Sequence, residues 1–181
     1  MIPSDHFVKL YNEIFKFLAA RGRSELDRYY DRVADRQAFF TLEAFKRDGL
    51  KGMYDYWERI RIEENCDMTH DYNDKFYHLK MNTCPSLSKV LDNDAEPFSG
   101  YCDHCPGWVG RLLARAGYWE VDDLVGRATP QCEMWIFREK ADAEAKRAEL
   151  LAFRDEDLVA TNFAFMIPGD GRRDQGPLRA P

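Results

Sequence analysis

The sequence predicts an α+β fold, in which an antiparallel sheet with packed helices follows an N-terminal helical segment. Apolar residues recur at three- and four-residue spacing through residues 4–64, which is the period of helices. After Asn65 the pattern changes to alternation, which indicates strands, and helical stretches return between them. We therefore expect a helical segment at 1–64, a cysteine-containing α+β domain at 65–167 and a tail at 168–181.

Three antiparallel helices are predicted within residues 4–64. The first ends at Gly22 and the second at Gly49, because glycine commonly terminates a helix. Asp27 and Asp31 are like charges at i, i+4, so we interpret this charged side as a solvated outer face. The aromatic side of these helices is expected to pack either on the chain's own sheet or on a second subunit.

The elements after residue 64 are predicted from changes between the helical and the strand spacing of apolar residues. Alternating apolar residues predict strands at 68–71, 75–82, 118–121, 131–138 and 159–167. Helices are predicted to open at Pro85, at Pro106 and after Glu139, and Gly117 is expected to end the second of these. A strand hairpin, two helices and further strands in this order are typical of an antiparallel α+β domain.

Composition excludes several classes of protein. A net charge of −6 and a pI near 5.3 argue against a nucleic-acid partner, whose binding surface would be basic. No apolar run approaches the roughly 20 residues of a membrane span, and the N-terminus lacks a signal-peptide pattern. Five cysteines in a chain of 181 residues indicate reduced thiols, so we expect a cytoplasmic protein. Its expected partner is a small-molecule substrate or ligand, and self-association into a homo-oligomer stays open.

The most reactive stretch runs from Cys102 through Asp103 and His104 to Cys105. Pro106 suits the first position of a helix, which makes Cys105 the predicted N-cap. A thiol at this place faces free backbone N–H groups and the positive end of the helix dipole, and both favour the thiolate.

A second Cys-Pro helix start occurs at Cys84, and a later strand begins at Cys132. The segments Asn82–Pro85, Tyr101–Cys102 and Gln131–Phe137, taken together, resemble the L-2-amino-thiazoline-4-carboxylic acid hydrolase family. Its members carry a Cys-Pro, a later helix-opening Cys and a terminal strand of the form Cys-x-Phe/Trp-x-Phe. More distantly, the chain is similar to 4-vinyl reductase-type small-molecule-binding domains. The likeness covers residues 65–138.

The resemblance implies an α+β domain with its cysteines gathered at the edge of the sheet. It also implies hydrolysis of a C–N bond in a cyclic amidine, and it points to Cys84, Cys102 and Cys132. The chain departs from the family at Cys105, where relatives tend to have Asp. That departure puts the shared substrate in question and favours a metal.

Our first hypothesis is a thiol-dependent hydrolase of a small cyclic amidine or amide. Such a reaction needs a nucleophile, a proton donor for the leaving nitrogen and donors that hold an oxyanion. A thiolate and an imidazole that exchanges protons near neutral pH meet these needs. The predicted catalytic residues are Cys102, Asp103, His104 and Cys105. The predicted substrate-binding residues are Cys84, Trp108 and Cys132.

Two other interpretations stay open. In the first, Cys84, Cys102 and Cys105 bind a zinc or iron ion, either as a closed site or with a position left for water. In the second, the chain is a non-catalytic sensor or accessory module that binds a small molecule or metal. Its cysteines would then serve as compact core residues, since free cysteine is among the most buried residue types.

Overall fold

The computed structural model describes residues 3–92 and 96–166, which form helices and strands in alternating groups. The helices are α1 (Pro3–Ala19), α2 (Arg23–Glu63), α3 (Pro85–Asp92), α4 (His104–Ala116) and α5 (Lys140–Leu151). The strands are β1 (Asp67–Tyr72), β2 (Phe76–Thr83), β3 (Trp119–Asp123), β4 (Cys132–Phe137) and β5 (Val159–Thr161). Short 3₁₀ turns lie at Tyr101–Asp103, Glu156–Leu158 and Phe163–Phe165.

The five strands form one antiparallel sheet in the order β1-β2-β4-β3-β5. The predicted α+β class is therefore confirmed. β4 lies at the centre, where it pairs with β2 on one side and with β3 on the other. Because β2 ends, β3 ends and β4 begins at the same end of the sheet, loop residues from distant parts of the chain meet there.

Because side chains alternate along each strand, one face of the sheet packs against α2 and α4 and the other face packs against α5. Met134 and Ile136 of β4 join the core beneath α2 and α4, whereas Trp135 and Phe137 pack against α5 on the opposite face. The sequence pattern predicts this division of β4. Cys132 has the same parity as Met134, so it faces the α2–α4 layer.

The break in α2 lies at Gly49, where φ is 62° and ψ is −137°. A Cβ atom at this position would lie 2.9 Å from the hydroxyl oxygen of Tyr118, so both the positive φ and the close approach require glycine. The predicted end of a helix at Gly49 is confirmed as a kink between two helical stretches. The stretch after the kink lays Leu50 and Met53 onto the sheet.

The helical segment and the sheet share one core. Phe45 and Leu50 of α2 pack with Tyr77 of β2 and Leu113 of α4, and all four side chains are buried. Of the two predicted alternatives, the helices thus pack on the chain's own sheet. Apolar area buried at this contact contributes about 25 cal/mol per Å², which makes the contact a main source of stability.

The charged side of α2 faces α4 and not only solvent. Arg111 of α4 donates from Nε to Asp31 at 2.7 Å and from Nη2 to Asp27 at 3.3 Å. Its Nη1 donates to the carbonyl of Gly107, and the guanidinium lies 4.2 Å from the ring centroid of Phe165. Asp31 stays exposed, as the sequence predicts, and the pairing of both aspartates with one arginine is a contact that the charge pattern does not indicate.

Replacement of Arg111 by Ala is expected to lower the free energy of unfolding by about 2 kcal/mol. The change removes a buried side chain together with its two ion pairs and its contact with Phe165, although partial exposure of both aspartates reduces the electrostatic part of the loss. Urea unfolding of the variant measures this. Arg115→Ala is the control, because Arg115 pairs with Asp35 in a more exposed position, and it should cost about 0.5 kcal/mol. Equal losses would contradict the argument.

The last predicted strand is shorter than expected. β5 ends at Thr161, and a 3₁₀ turn follows at Phe163–Phe165, because the side chain of Asn162 binds backbone groups outside the ladder. The predicted tail at 168–181 lies outside the described residues. Within residues 3–92 and 96–166, no helix is both long enough and apolar enough to cross a bilayer.

Candidate functional site

Four cysteines come together at the end of the sheet where β2 ends and β4 begins. Cys84 follows β2 and opens α3, and its backbone N–H donates to the carbonyl of Pro130 at 2.6 Å. Cys132 begins β4 in register with Met81 of β2. Cys102 and Cys105 arrive at this end with the start of α4. Cys84 and Cys102 pack against the same buried cluster, and a charge on Cys84 raises the pKa of Cys102, Cys105 and Cys132.

Cys84 is an N-cap, as predicted. Its carbonyl accepts from Ser88 at 3.0 Å, and its Sγ accepts the backbone N–H of Leu87 at 3.4 Å. The predicted preference for thiolate is nevertheless wrong here, because burial raises the pKa of the Cys84 thiol by more than those backbone N–H groups lower it.

Cys105 is not the N-cap of α4. The 3₁₀ turn at Tyr101–Asp103 leads directly into a helix that begins at His104, and the backbone N–H of His104 donates to the carbonyl of Tyr101. Pro106 therefore lies inside the first turn, where its missing N–H has no helical partner to lose. Cys105 is not the predicted N-cap because the 3₁₀ turn at Tyr101–Asp103 continues without a break into α4.

Cys105 lies with Cys84, Cys102 and Cys132 at this end of the sheet, and we call the place bounded by these four thiols the recess. The Cys105 side chain is exposed to solvent, yet protein atoms enclose it so densely that burial raises the pKa of its thiol well above the ordinary value. Cys132, Cys84 and Cys102 add smaller electrostatic contributions in the same direction.

Burial keeps the recess thiols protonated at neutral pH. It raises the pKa of Cys102 to about 11, although the nearby charge of Arg127 acts in the opposite direction. The pKa of Cys132 is raised as well, first by burial and then by Cys84 and Asp122. The resting site is therefore a set of neutral thiols and not a thiolate cluster.

A pair of buried carboxyl groups lies on the same sheet face as Cys132. Glu120 and Asp122 alternate along β3 and point toward α4, and their side chains are 0 % and 5 % exposed. Both oxygens of Glu120 and Oδ2 of Asp122 are enclosed without a hydrogen-bond partner. A Cβ atom on Gly110 would lie 2.6 Å from Oε2 of Glu120, so α4 packs directly on this carboxyl group.

The geometry of α4 and β3 brings Asp122 beside Cys105. The chain reverses at Gly117 and Tyr118, so the helix and the strand that follows it run in opposite directions. Two strand residues span roughly 7 Å, which equals about four helical residues. Because Glu120 contacts α4 at Gly110, Asp122 reaches the level of Cys105. The electrostatic effect of Asp122 on Cys105 agrees with this placement.

Burial is also the main cause of the raised pKa values of Glu120 and Asp122. It raises the pKa of Asp122 to about 8, and it raises the pKa of Glu120 well above its usual range, with Asp122 adding like-charge repulsion. Both groups thus hold protons at neutral pH. Strongly perturbed carboxyl groups beside a recess are a feature of proton-transfer sites.

Sequence reasoning does not find this pair. The strand predicted at 118–121 ends before Asp122, whereas the structure places Asp122 and Asp123 in β3 and buries them on opposite faces. The available signal is the i, i+2 spacing of Glu120 and Asp122 in a strand, which puts both on one face.

His104 and Trp108 lie in an aromatic cluster with α1 and α2. The His104 ring is 4.7 Å from Trp108 and 5.5 Å from Phe15, and its Nδ1 donates to the carbonyl of Tyr101 at 2.5 Å. Burial lowers the pKa of His104 to about 4, so the ring is neutral at neutral pH. This value contradicts a proton shuttle that titrates near neutrality. Trp108 packs 5.9 Å from Tyr30 in the same cluster, and its predicted contact with substrate stays a prediction.

Asp103 is engaged in an ion pair at the side of the recess. It accepts from Nη1 of Arg127 at 2.5 Å, and Nη2 of the same arginine donates to the carbonyl of Asp157 at 2.7 Å. Because Arg127 also lowers the pKa of Cys102, this ion pair lies close to the thiols. Asp103 is thus a partner of Arg127, and its predicted catalytic role stays a prediction.

The predicted zinc or iron ligands are not arranged as a site. In the described part of the chain, no three His, Cys, Asp or Glu side chains are grouped as metal ligands would be. Cys84 is oriented toward the backbone of α3, where its Sγ accepts from Leu87.

Comparison with known proteins returns no relative. No protein-family model, no curated protein and no solved structure matches the chain. The suspected family therefore stays a prediction. The α+β architecture and the recess geometry carry the functional argument.

Proposed function

We propose that the chain is a hydrolase that cleaves a C–N bond in a small cyclic amidine or amide within the thiol-lined recess. The observation that carries the proposal is the buried Glu120–Asp122 pair, whose enclosed oxygens lack partners, at the level of the accessible thiol of Cys105. A nucleophile and a proton-transfer group thus share one enclosed place. Asp122 replaces His104 in the role of proton carrier.

The reaction uses two steps. In the first step, Cys105 sulfur adds to the amidine carbon, and the thiol proton moves through the Asp122 carboxyl group to the leaving nitrogen as the C–N bond breaks. In the second step, water adds to the same carbon, the C–S bond breaks and the sulfur regains a proton from that water. The net change is addition of one water and cleavage of one C–N bond. Enclosure by protein strengthens each of these polar interactions.

Replacement of Cys105 by Ala is expected to reduce turnover at least ~100-fold, because Cys105 is the exposed thiol at this end of the sheet, whereas Cys84, Cys102 and Cys132 are only partly exposed. The assay follows ring opening of L-2-amino-thiazoline-4-carboxylate by mass spectrometry. Cys66→Ala is the matched control, since Cys66 is buried in the α2–sheet core, and its turnover should remain near that of the unchanged protein.

Two results would contradict the proposal. One is full turnover by the Cys105 variant, which would exclude this nucleophile. The other is the absence of ring opening of this probe and of its ring-closed amide analogue by the unchanged protein. A trapped thioester-type adduct on Cys105, found by peptide mapping, would support it.

A second candidate function is a non-catalytic small-molecule-binding module. The observation that favours it is burial, which raises the pKa of Cys84, Cys102, Cys105 and Cys132 and leaves these thiols protonated. Alkylation by iodoacetamide separates the candidates. A module predicts uniformly slow labelling of these thiols, whereas the hydrolase predicts that Cys105 is labelled faster than Cys84, Cys102 and Cys132.

A further inference from the structure

We infer that the chain forms a two-fold symmetric homodimer, in which the outer sides of two α1 helices pack against each other in antiparallel orientation. The inference goes beyond the proposed function and does not depend on it. It assigns a partner to large apolar side chains of α1 that stay exposed in the single chain.

The outer side of α1 carries apolar side chains at heptad spacing. Phe7, Leu10 and Phe17 are 62 %, 53 % and 57 % exposed, and Ile14 lies among them with partial exposure. These four residues are separated by three, four and three positions, which is the spacing of the a and d residues in a coiled-coil seam. We call them the outer stripe.

The outer stripe is distinct from the face by which α1 docks on its own domain. That docking face consists of Val8, Asn12 and Phe15, which are all buried, and the Phe15 ring packs 5.8 Å from the ring of Tyr30. At 3.6 residues per turn, the outer stripe and the docking face lie roughly 150° apart around the helix. A second helix can therefore pack on the outer stripe without displacing the contacts that hold α1 in place.

The outer stripe is complementary to itself. Its order is the same in both directions, with phenylalanine at each end and a branched aliphatic residue at each inner position. In an antiparallel pair, Phe7 lies opposite Phe17 of the partner subunit, and Leu10 lies opposite Ile14 of the partner subunit. Each layer of the seam thus joins two large apolar side chains, as a two-fold interface requires. The antiparallel orientation also opposes the two helix dipoles, which favours it.

The exposed apolar area is sufficient for a small dimer interface. Side chains of this kind have roughly 150–250 Å² each, so the exposed fractions of the stripe, with the 38 % of Tyr11 beside it, leave about 400 Å² open on each copy. Two copies bring together about 800 Å² of apolar area. Because about two-thirds of a homodimer interface is apolar, the whole interface buries about 1,200 Å², the lower limit for a specific complex.

The charges beside the outer stripe favour a second copy over a lipid surface. Glu13 accepts from Nζ of Lys16 at 2.8 Å, and the guanidinium of Arg21 lies 3.4 Å from the centroid of the Phe17 ring. Anionic lipids attract clusters of about four to eight basic residues, whereas α1 has two lysines in a chain with a net charge of −6. An uncharged seam with a neutralised ion pair beside it does not repel a copy of itself.

Phe39 and Phe40 of α2 form a second exposed apolar pair, which provides the internal contrast. They are 72 % and 79 % exposed, and their ring centroids are 5.0 Å apart. Because they are adjacent in sequence, they cover a single turn of α2 and offer no seam to a second helix. Phe39 is therefore a matched control for the phenylalanines of the outer stripe.

Sedimentation equilibrium of the full chain from about 1 to about 200 µM tests the inference. We expect a monomer–dimer equilibrium with a micromolar dissociation constant, since the interface is small. Phe7→Glu and Phe17→Lys should each weaken dimerisation at least ~10-fold, because each places a charge in the seam twice per dimer. Phe39→Glu should leave the dissociation constant unchanged. Both α1 substitutions match the helix dipole at their own end, so the helix should stay folded, which circular dichroism checks.

A mixture of the two α1 variants tests the orientation. In an antiparallel dimer, the glutamate introduced at position 7 faces the lysine introduced at position 17 of the other copy. An equimolar mixture should therefore dimerise at least ~10-fold more tightly than either variant alone. In a parallel dimer, position 7 faces position 7, so mixing would restore nothing.

Three results of these measurements would overturn the inference. They are a chain that stays monomeric at about 200 µM, a dimer that Phe39→Glu weakens and the α1 variants do not, and a mixture that dimerises no better than its components. Flotation with vesicles of phosphatidylcholine and phosphatidylserine decides the lipid alternative, and vesicle binding by a monomeric chain, lost in both α1 variants, would also overturn it. None of these measurements depends on ring opening, so the hydrolase and the dimer can fail separately.

Discussion

Replacement of Asp122 by Asn is expected to stabilise the protein by several kcal/mol at pH 8 and to leave its stability at pH 4 almost unchanged. In the folded chain the pKa of Asp122 is about 8, against an ordinary value of 3.8, because burial disfavours the charge. The folded state therefore binds a proton that the unfolded state loses. Asp122 lowers stability progressively as pH rises from about 4 to about 8, and its effect is constant above that.

The measurement is guanidinium or urea unfolding of both proteins from pH 4 to 9, with the difference between the two curves taken at each pH. Taking the difference between the two curves removes the contributions that both proteins share. Some of these have the opposite dependence on pH, because the contacts with Arg61 and His70 lower the pKa of Glu58 to about 2. Asp123→Asn is the control. It removes the charge that pairs with Arg154 and puts an amide NH2 group in place of one of the acceptor oxygens that Arg154 and the N–H of Val125 use, so it should destabilise the fold at every pH in this range. A flat difference curve for Asp122→Asn would contradict the burial argument.

Replacement of Asn162 by Ala is expected to lower the free energy of unfolding by about 4 kcal/mol. The buried side chain accepts the N–H of Glu120 at 2.9 Å and donates to the carbonyls of Gly110 at 3.2 Å and Tyr118 at 2.9 Å. The N–H of Glu120 and the carbonyl of Tyr118 lose this partner in the variant, while the carbonyl of Gly110 keeps its donor within α4, and each unsatisfied buried group costs about 1–3 kcal/mol.

Thermal and urea unfolding measure the loss. Asn82→Ala is the matched control, because the Asn82 amide donates to Asp67 at 3.2 Å in an exposed position, and it should cost less than about 1 kcal/mol. A similar small loss for Asn162→Ala would mean that water replaces the three bonds. Because Asn162 joins α4, β3 and β5, the variant should also increase hydrogen exchange at the N–H of Glu120.

The secondary structure could be predicted largely from periodicity, because amphipathic elements bury one face. The alternation of Cys132, Met134 and Ile136 against Trp135 and Phe137 matches the two observed sheet faces. Boundaries were less predictable where the backbone follows local turns. Pro106 suggests a helix start, but a proline is accepted anywhere in the first turn, so it did not exclude a start at His104.

The cysteines of the site could be predicted as a group, but their protonation could not. A cap position favours thiolate only when water still solvates the charge, and burial at Cys84 outweighs the cap. Glu120 and Asp122 were missed for a related reason. Carboxyl groups in a sequence are normally solvated, and only the packing of Gly110 against Glu120 shows that α4 covers them.

The central position of β4 has a consequence for synthesis of the chain on the ribosome. The β1–β2 hairpin emerges first, with one edge of β2 unpaired until β4 has left the exit tunnel. An unpaired edge with the apolar Tyr77 and Leu79 is a template for pairing with another nascent chain. Early docking of α2 on this hairpin covers those side chains, so α2 limits aggregation of the chain while translation continues.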